Sequence, residues 1–257
     1  MLKVSHNHFA GFYSCCSVKL HNIVAYFNEH KKVPDMIDSS ELFYFYKPMH
    51  NKVSDITFEY FKEPSGRLDY SEVKYEHSDQ VVPYKTLNLE SLKPLLKLYF
   101  EPSTLINEIV SFLEHKYKID YANLCVLFHR GNDKATETKL CTYSDYKQKA
   151  LELQRENPTI RFLLQSDETE FLHEFSTTFP GSLIFHEEIR HIKKADMTVD
   201  IVYEQYNNAY SKLFMAIMII MSKCKYIVFG SGNCSIWIVF YRGHMTNVYQ
   251  NLNGEWV

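Results

Sequence analysis

Asn123-Leu124-Cys125-Val126-Leu127-Phe128-His129-Arg130-Gly131-Asn132-Asp133-Lys134 is the stretch from which the fold is read. Positions 124–128 are apolar without a break. That is the pattern of a strand buried on both faces, as in a parallel sheet covered by helices on each side. The run then stops in a polar loop, 129–134. An arginine at the end of such a strand needs a partner or a ligand. Pairing with Asp133 or Glu137 is the structural alternative to ligand binding.

Working outward, helical spacing covers 143–156, and 160–164 reads as the next strand. Ser166 is placed to cap a helix running through Phe175. A strand at 183–185 and a long helix over 199–223 follow. Residues 226–229 form another strand, closed by Gly230-Ser231-Gly232-Asn233 and a last helix at 235–241. Strands alternating with helices in this way predict a doubly wound parallel α/β sheet. Upstream, 2–4 and 36–38 read as short strands. Ser17 is placed to cap a helix carrying Leu20, Val24 and Phe27, and 92–100 is apolar at helical spacing. Ser103 starts a further helix with Ile106, Ile109, Val110 and Leu113. Residues 42–84, rich in Tyr and Phe and broken by Pro48, Pro64 and Gly66, yield no assignment.

The 257 residues, 46% hydrophobic and 23% charged, suit one large α/β domain or two small ones sharing a cleft. A net charge of −3 with scattered basic residues leaves no electrostatic footprint for nucleic acid. The most apolar segment, 213–221, is about half the ~20 residues of a membrane-spanning helix, and lysines flank it. Residues 1–11 contain no apolar run of the kind an export signal requires. The six cysteines have no CxxC spacing, which points to reduced thiols. A cytoplasmic location is expected from these features.

In an open parallel sheet, ligands bind beyond the carboxyl ends of the strands. Two polar loops occupy that place, 129–134 and 230–235. The second, Gly230-Ser231-Gly232-Asn233-Cys234-Ser235, opens a helix and offers backbone N–H groups, hydroxyls and a helix dipole to an anion such as phosphate. A simple tight turn is the alternative reading. There is no GxxxxGK[ST] loop, no GxGxxG after the first strand and no Gly-x-Ser-x-Gly elbow. These absences disfavour P-loop kinases, dinucleotide oxidoreductases and serine hydrolases of that type. No Asp-x-Asp metal motif is present. His6 with His8, or His186 with His191, read as surface or core residues, so no metal is expected.

The segment 128–134 resembles the arginine motif of the fucosyltransferase superfamily, which joins α1,6- and α1,2-fucosyltransferases and protein O-fucosyltransferases. There a strand ends in His/Val-x-Arg-Arg/Gly-x-Asp-Lys or a close variant. Residues 230–235, followed by Trp237 and Tyr241-Arg242-Gly243, resemble the family's last motif. Ser166-Asp167 holds the place of the middle one. Gly11-Phe12-Tyr13-Ser14, running into a helix with His21, resembles the opening loop.

The resemblance implies a GT-B-type fold, two Rossmann-like domains facing a cleft. Residues 1–118 would form the acceptor side and 119–257 the nucleotide-sugar-binding domain. It implies a metal-independent glycosyltransferase moving a sugar from a nucleoside diphosphate onto a glycan hydroxyl with inversion and with no separate cofactor. Fucose from GDP-fucose is the first choice, and xylose from UDP-xylose or another sugar the second. Arg130 would bind the donor diphosphate, with His129, Asn132, Lys134, Ser166, Asp167, Ser231, Gly232, Asn233, Cys234 and Ser235 around it. Glu137, or failing it Asp133, would act as general base. Alternatively, Glu137 is a solvated loop carboxylate. His8, Phe12, Tyr13, Ser14 and His21 would lie on the acceptor side. The family's acidic residue in the helix before the last strand has no counterpart, since 215–221 is wholly apolar. A catalytically inactive module that binds nucleotide or glycan is the competing class.

Overall fold

The computed structural model describes every residue except 6–9, 70, 137 and 138, together with the side chain of Thr136. The decisive stretch forms strand β3 (Leu124–His129), buried at all six positions. After a 3-10 turn at Asn132–Thr136, helix α5 (Tyr143–Glu156) starts at a reciprocal cap. Thr142 Oγ1 accepts the Asp145 N–H, and Asp145 accepts the Thr142 N–H. Strand β4 (Arg161–Ser166) then pairs parallel with β3, setting Phe128 beside Gln165. Helix α6 (Thr169–Thr178), the single turn α7 (Val199–Val202) and helix α8 (Asn207–Lys223) lead to β5 (Tyr226–Gly230). Helix α9 (Asn233–Arg242) and strands β6 (Val248–Leu252) and β7 (Glu255–Trp256) complete this half.

The sheet order is β4-β3-β5-β6-β7, parallel except for the final pair. From β3 the chain steps outward to β4, then returns to lay β5 on the opposite side of β3. The strand order therefore reverses between β3 and β5. A crevice opens at such a point, because the connections on either side leave in opposite directions.

Residues 1–118 are mainly helical. Strands β1 (Leu2–Lys3) and β2 (Ile37–Asp38) form a parallel sheet of two residues each. Helices α1 (Phe12–His30), α2 (Thr57–Tyr60), α3 (Leu89–Phe100) and α4 (Thr104–Tyr117) supply the rest. Ser103 caps α4 as expected, its Oγ accepting the Ile106 N–H. Buried apolar side chains of both halves join in one core. Trp237 of α9 shows how: it packs on Tyr13 and Phe100, and its indole N–H reaches Ser17 Oγ at 2.9 Å. Among the described residues, no helix is long and apolar enough to cross a membrane.

Several local expectations are corrected. Helix α1 begins at Phe12 with Gly11 at its cap, so Ser17 is an interior, buried residue rather than a cap. Ser166 ends β4 and accepts the Glu168 N–H, while Glu168 holds the α6 cap position. The strand expected at 183–185 is a single parallel bridge from Leu183 to Leu163. The long helix over 199–223 is broken between α7 and α8. There the Asn207 amide donates to the Asp200 carbonyl at 2.8 Å and accepts from Arg190, anchoring a turn instead of a continuous helix.

Candidate functional site

Two carboxylates from one loop organise the start of the other. Asp167 Oδ2 accepts from Arg130 Nε at 2.8 Å, and its Oδ1 accepts the Gly131 N–H at 3.0 Å. Glu168 Oε1 accepts the Asn132 N–H at 3.0 Å, and Oε2 accepts from His129 Nε2 and the Tyr143 hydroxyl. The segment 130–132 is thus held by its backbone as well as its side chains. Gly131 is obligatory here: a Cβ on it would lie 1.9 Å from Glu168 Oε1. Burial alone would raise the Glu168 pKa. The His129, Tyr143 and Asn132 donors outweigh burial and hold it at about 2.

Arg130 lies in a charged cradle with its side chain a quarter exposed. Of its five N–H donors, Nε serves Asp167, one Nη1 hydrogen Cys234 Sγ at 3.3 Å, and one Nη2 hydrogen Asp133 at 3.3 Å. One hydrogen on each terminal nitrogen remains for a further partner. Burial opposes the guanidinium's charge, but Asp167 and Asp133 more than offset it and keep its pKa well above the ordinary value. Cys234 is the second residue of α9, so Arg130 faces the N-terminus of that helix across the β3–β5 crevice. No side chain caps α9. Its first N–H groups point out of the helix, as orphan donors and the positive end of its dipole do. Gly232 carries φ 147°, a conformation suited to glycine.

A cavity of about 450 Å³ opens in front of these groups. Arg130, Asp133, Lys134, Asp167 and residues 231–235 form one side, and residues 10–14 at the head of α1 form another. Tyr46 ties the head of α1 to Asp200 on α7. Its hydroxyl accepts the Phe12 N–H at 2.7 Å and donates to Asp200 Oδ2 at 2.7 Å, while Asp200 Oδ1 accepts from Arg190 at 2.9 Å. Ser14 and His77 meet at 3.3 Å on the same wall.

Of the residues expected from sequence, the cavity brings together Arg130, Asp133, Lys134, Asp167, Ser231, Gly232, Asn233, Cys234, Ser235, Phe12, Tyr13 and Ser14. His129, Asn132, Ser166 and His21 do not line it. Strand alternation sends His129 to the face opposite Phe128, where its ring stacks on Phe171. The Asn132 amide is engaged with the Asp167 carbonyl and the Ala195 N–H. Ser166 is fully buried. The Ser231 hydroxyl donates to the Asn251 carbonyl and accepts from Gln250, so its side chain serves the turn. Glu137, His6 and His8 lie outside the described residues. Arg130 pairs with Asp133, as the structural alternative had it, and more closely with Asp167, which that alternative did not include.

The sequence reading missed Gln165, Tyr46, His77, Glu188, Arg190 and Asp200 on the cavity wall. Gln165 left a signal, a lone amide after Phe162-Leu163-Leu164. Tyr46 and His77 fall in the unassigned 42–84 stretch. Among the described residues, no group of three or more His, Cys, Asp or Glu is placed to hold a metal ion.

No known family profile matches the chain, and no curated protein matches it. Among solved structures it is similar to the alpha-1,6-fucosyltransferase NodZ soaked with GDP-fucose, at 9% identity and a TM-score of 0.40, over 64% of this chain and 52% of that one. NodZ co-crystallized with GDP matches at 10% identity and 0.38, over 63% and 50%. The fucosyltransferase NodZ from Bradyrhizobium matches at 11% and 0.36, over 63% and 50%. The chain therefore spans about half the length of these proteins.

Proposed function

We propose that this protein is a metal-independent glycosyltransferase that moves a sugar from a nucleoside diphosphate onto a glycan hydroxyl, with fucose the first choice of sugar and xylose the second. One observation carries the reading. Arg130 is fixed by Asp167 at 2.8 Å while presenting N–H donors beside the uncapped N-terminus of α9, above a cavity large enough for a small ligand.

The chemistry follows from charge. When the bond between the anomeric carbon and the diphosphate oxygen breaks, negative charge grows on that oxygen. A guanidinium already held in place stabilises this charge without reorganising, and so do helix N–H groups. Lys134, on the same wall, adds a second cation. In an inverting transfer the acceptor hydroxyl attacks from the opposite face and yields its proton to a base. In this reading residues 10–14 border the acceptor, and Glu137 is the base. Asp133 is the weaker choice, because its carboxylate already serves Arg130.

Assays of purified protein with a panel of nucleotide sugars, glycan acceptors and excess EDTA test this. Transfer that persists in EDTA is expected. Transfer lost in EDTA and restored by Mg²⁺ or Mn²⁺ would overturn the metal-free chemistry.

A second reading, ligand binding without turnover, is favoured by the carboxylates that line the cavity. Asp133 and Asp167 serve Arg130, Glu188 serves Lys116 and Tyr117, and Asp200 serves Arg190 and Tyr46. Nucleotide binding with no transfer to any acceptor would select it.

A further inference from the structure

Gln165, on β4, is 4% exposed and lines the cavity, yet its Oε1 has no hydrogen-bond partner among the described residues. A buried carbonyl oxygen left unpaired is unfavourable, and such groups in folded proteins almost always find a donor. No donor among the described residues is bonded to it; its register partner on β3, Phe128, is apolar, and Ile189 and Phe214 line the same cavity. A ligand in the cavity would supply the donor.

Its position indicates which part of a ligand. Gln165 is two residues before Asp167, the carboxylate that holds Arg130. Asp167 lies just past the end of β4, and both side chains line the cavity, roughly 7 Å apart at an extended chain's rise. A diphosphate at Arg130 would therefore have its nucleoside within reach of Gln165. The rings of Phe128 and Phe214 on the cavity wall offer flat surfaces against which a heterocycle packs. Residues 215–221 of α8 are apolar and buried, so that segment presents no carboxylate to a base.

The geometry points to Gln165 as the residue that reads the nucleobase of the donor, an inference that rests on the nucleotide-sugar reading above. Its Oε1 accepts a base N–H, and its amide nitrogen donates to a neighbouring ring carbonyl or ring nitrogen. Recognition is thus by a neutral amide with one acceptor and one donor. A carboxylate at this position would instead prefer a base edge with two adjacent donors, which guanine offers.

Calorimetry with UDP, dTDP, CDP, ADP, GDP and inorganic pyrophosphate tests the assignment on wild type, Gln165→Met and Gln165→Glu. Wild type is expected to rank the bases, and Gln165→Met to bind the preferred diphosphate about tenfold more weakly, the loss of one net hydrogen bond. In that variant the ranking should flatten while pyrophosphate affinity stays within twofold, which also reports that the site is folded. Gln165→Glu should move the ranking toward GDP. An unchanged ranking in Gln165→Met, or a parallel loss of pyrophosphate binding, would overturn the assignment. Wild-type protein that binds neither nucleotides nor pyrophosphate would instead sink the nucleotide-sugar reading itself, and this inference with it.

Discussion

The loops after β3 and β5 face each other across one crevice, and they are held in different ways. The first is fastened by ions. Asp167 and Glu168 take the N–H groups of Gly131 and Asn132 and the side chains of Arg130, His129 and Tyr143. The second is fastened by neutral groups. The Gly232 N–H goes to the Tyr84 hydroxyl at 2.9 Å, and Ser231 binds the Asn251 carbonyl through both its N–H and its hydroxyl. The β3 loop therefore positions a cation whose charge is partly balanced by its supports. The β5 loop presents backbone donors with no side chain at the cap. An anion between them would meet a fixed guanidinium on one side and a helix dipole on the other.

This difference should appear when each loop is broken. Gly131→Ala drives a Cβ into a carboxylate that is fully buried and cannot swing to solvent. Chemical denaturation should register a loss of roughly 4 kcal/mol, the scale of disrupting a buried ion pair. A change below about 1 kcal/mol would mean that the 130–132 backbone is not clamped by Glu168 at all.

Glu168→Gln is expected to follow, at about 3 kcal/mol near pH 7. Its dependence on pH supplies the sharper readout. The Glu168 pKa falls from 4.5 to about 2 on folding, so the wild-type contribution is fully present above about pH 4.5. It is lost as the pH drops toward 2. Wild type and variant should converge in stability over that acid window, and parallel curves would remove the charge from the explanation.

On the neutral side, Tyr84→Phe deletes the acceptor of the Gly232 N–H and the donor to the Gln80 carbonyl. A smaller loss of about 1.5 kcal/mol is expected. It should not vary between pH 4 and 8, because neither partner titrates there. A pH-dependent loss would break the contrast between the two loops.

The ion-held loop was also the more legible one. β3 shows in the sequence because five consecutive apolar residues, 124–128, leave no polar residue to blur it, and Arg130 follows its end. The supports of the β5 loop were hidden. β6 reads as Val248-Tyr249-Gln250-Asn251-Leu252, whose two central polar residues are buried. Gln250 is inside because it bonds to the Tyr84 N–H and the Val82 carbonyl, partners far away in sequence. The 42–84 stretch defeats periodicity for a similar reason. Two of its buried tyrosines, Tyr46 and Tyr60, are held by hydroxyl bonds to Asp200 and Ser211, partners far away in sequence. In the candidate site, the expected residues that line the cavity lie on the loops after β3, β4 and β5 and at the head of α1. His129 lies away from it, because alternation along β3 turns it to the opposite face of the sheet.

The central claim is that a diphosphate lies between Arg130 and the head of α9. Calorimetric titration of the preferred nucleoside diphosphate, in excess EDTA, into wild type, Arg130→Ala and Arg130→Lys tests it most directly, at a temperature where all three remain folded. Wild type should bind. Arg130→Ala should lose about a hundredfold in affinity, and lysine should not restore it, since one ammonium cannot reproduce a planar fork held by Asp167. Binding to Arg130→Ala at wild-type strength would contradict the claim and leave Arg130 as a structural partner of Asp167 and Asp133.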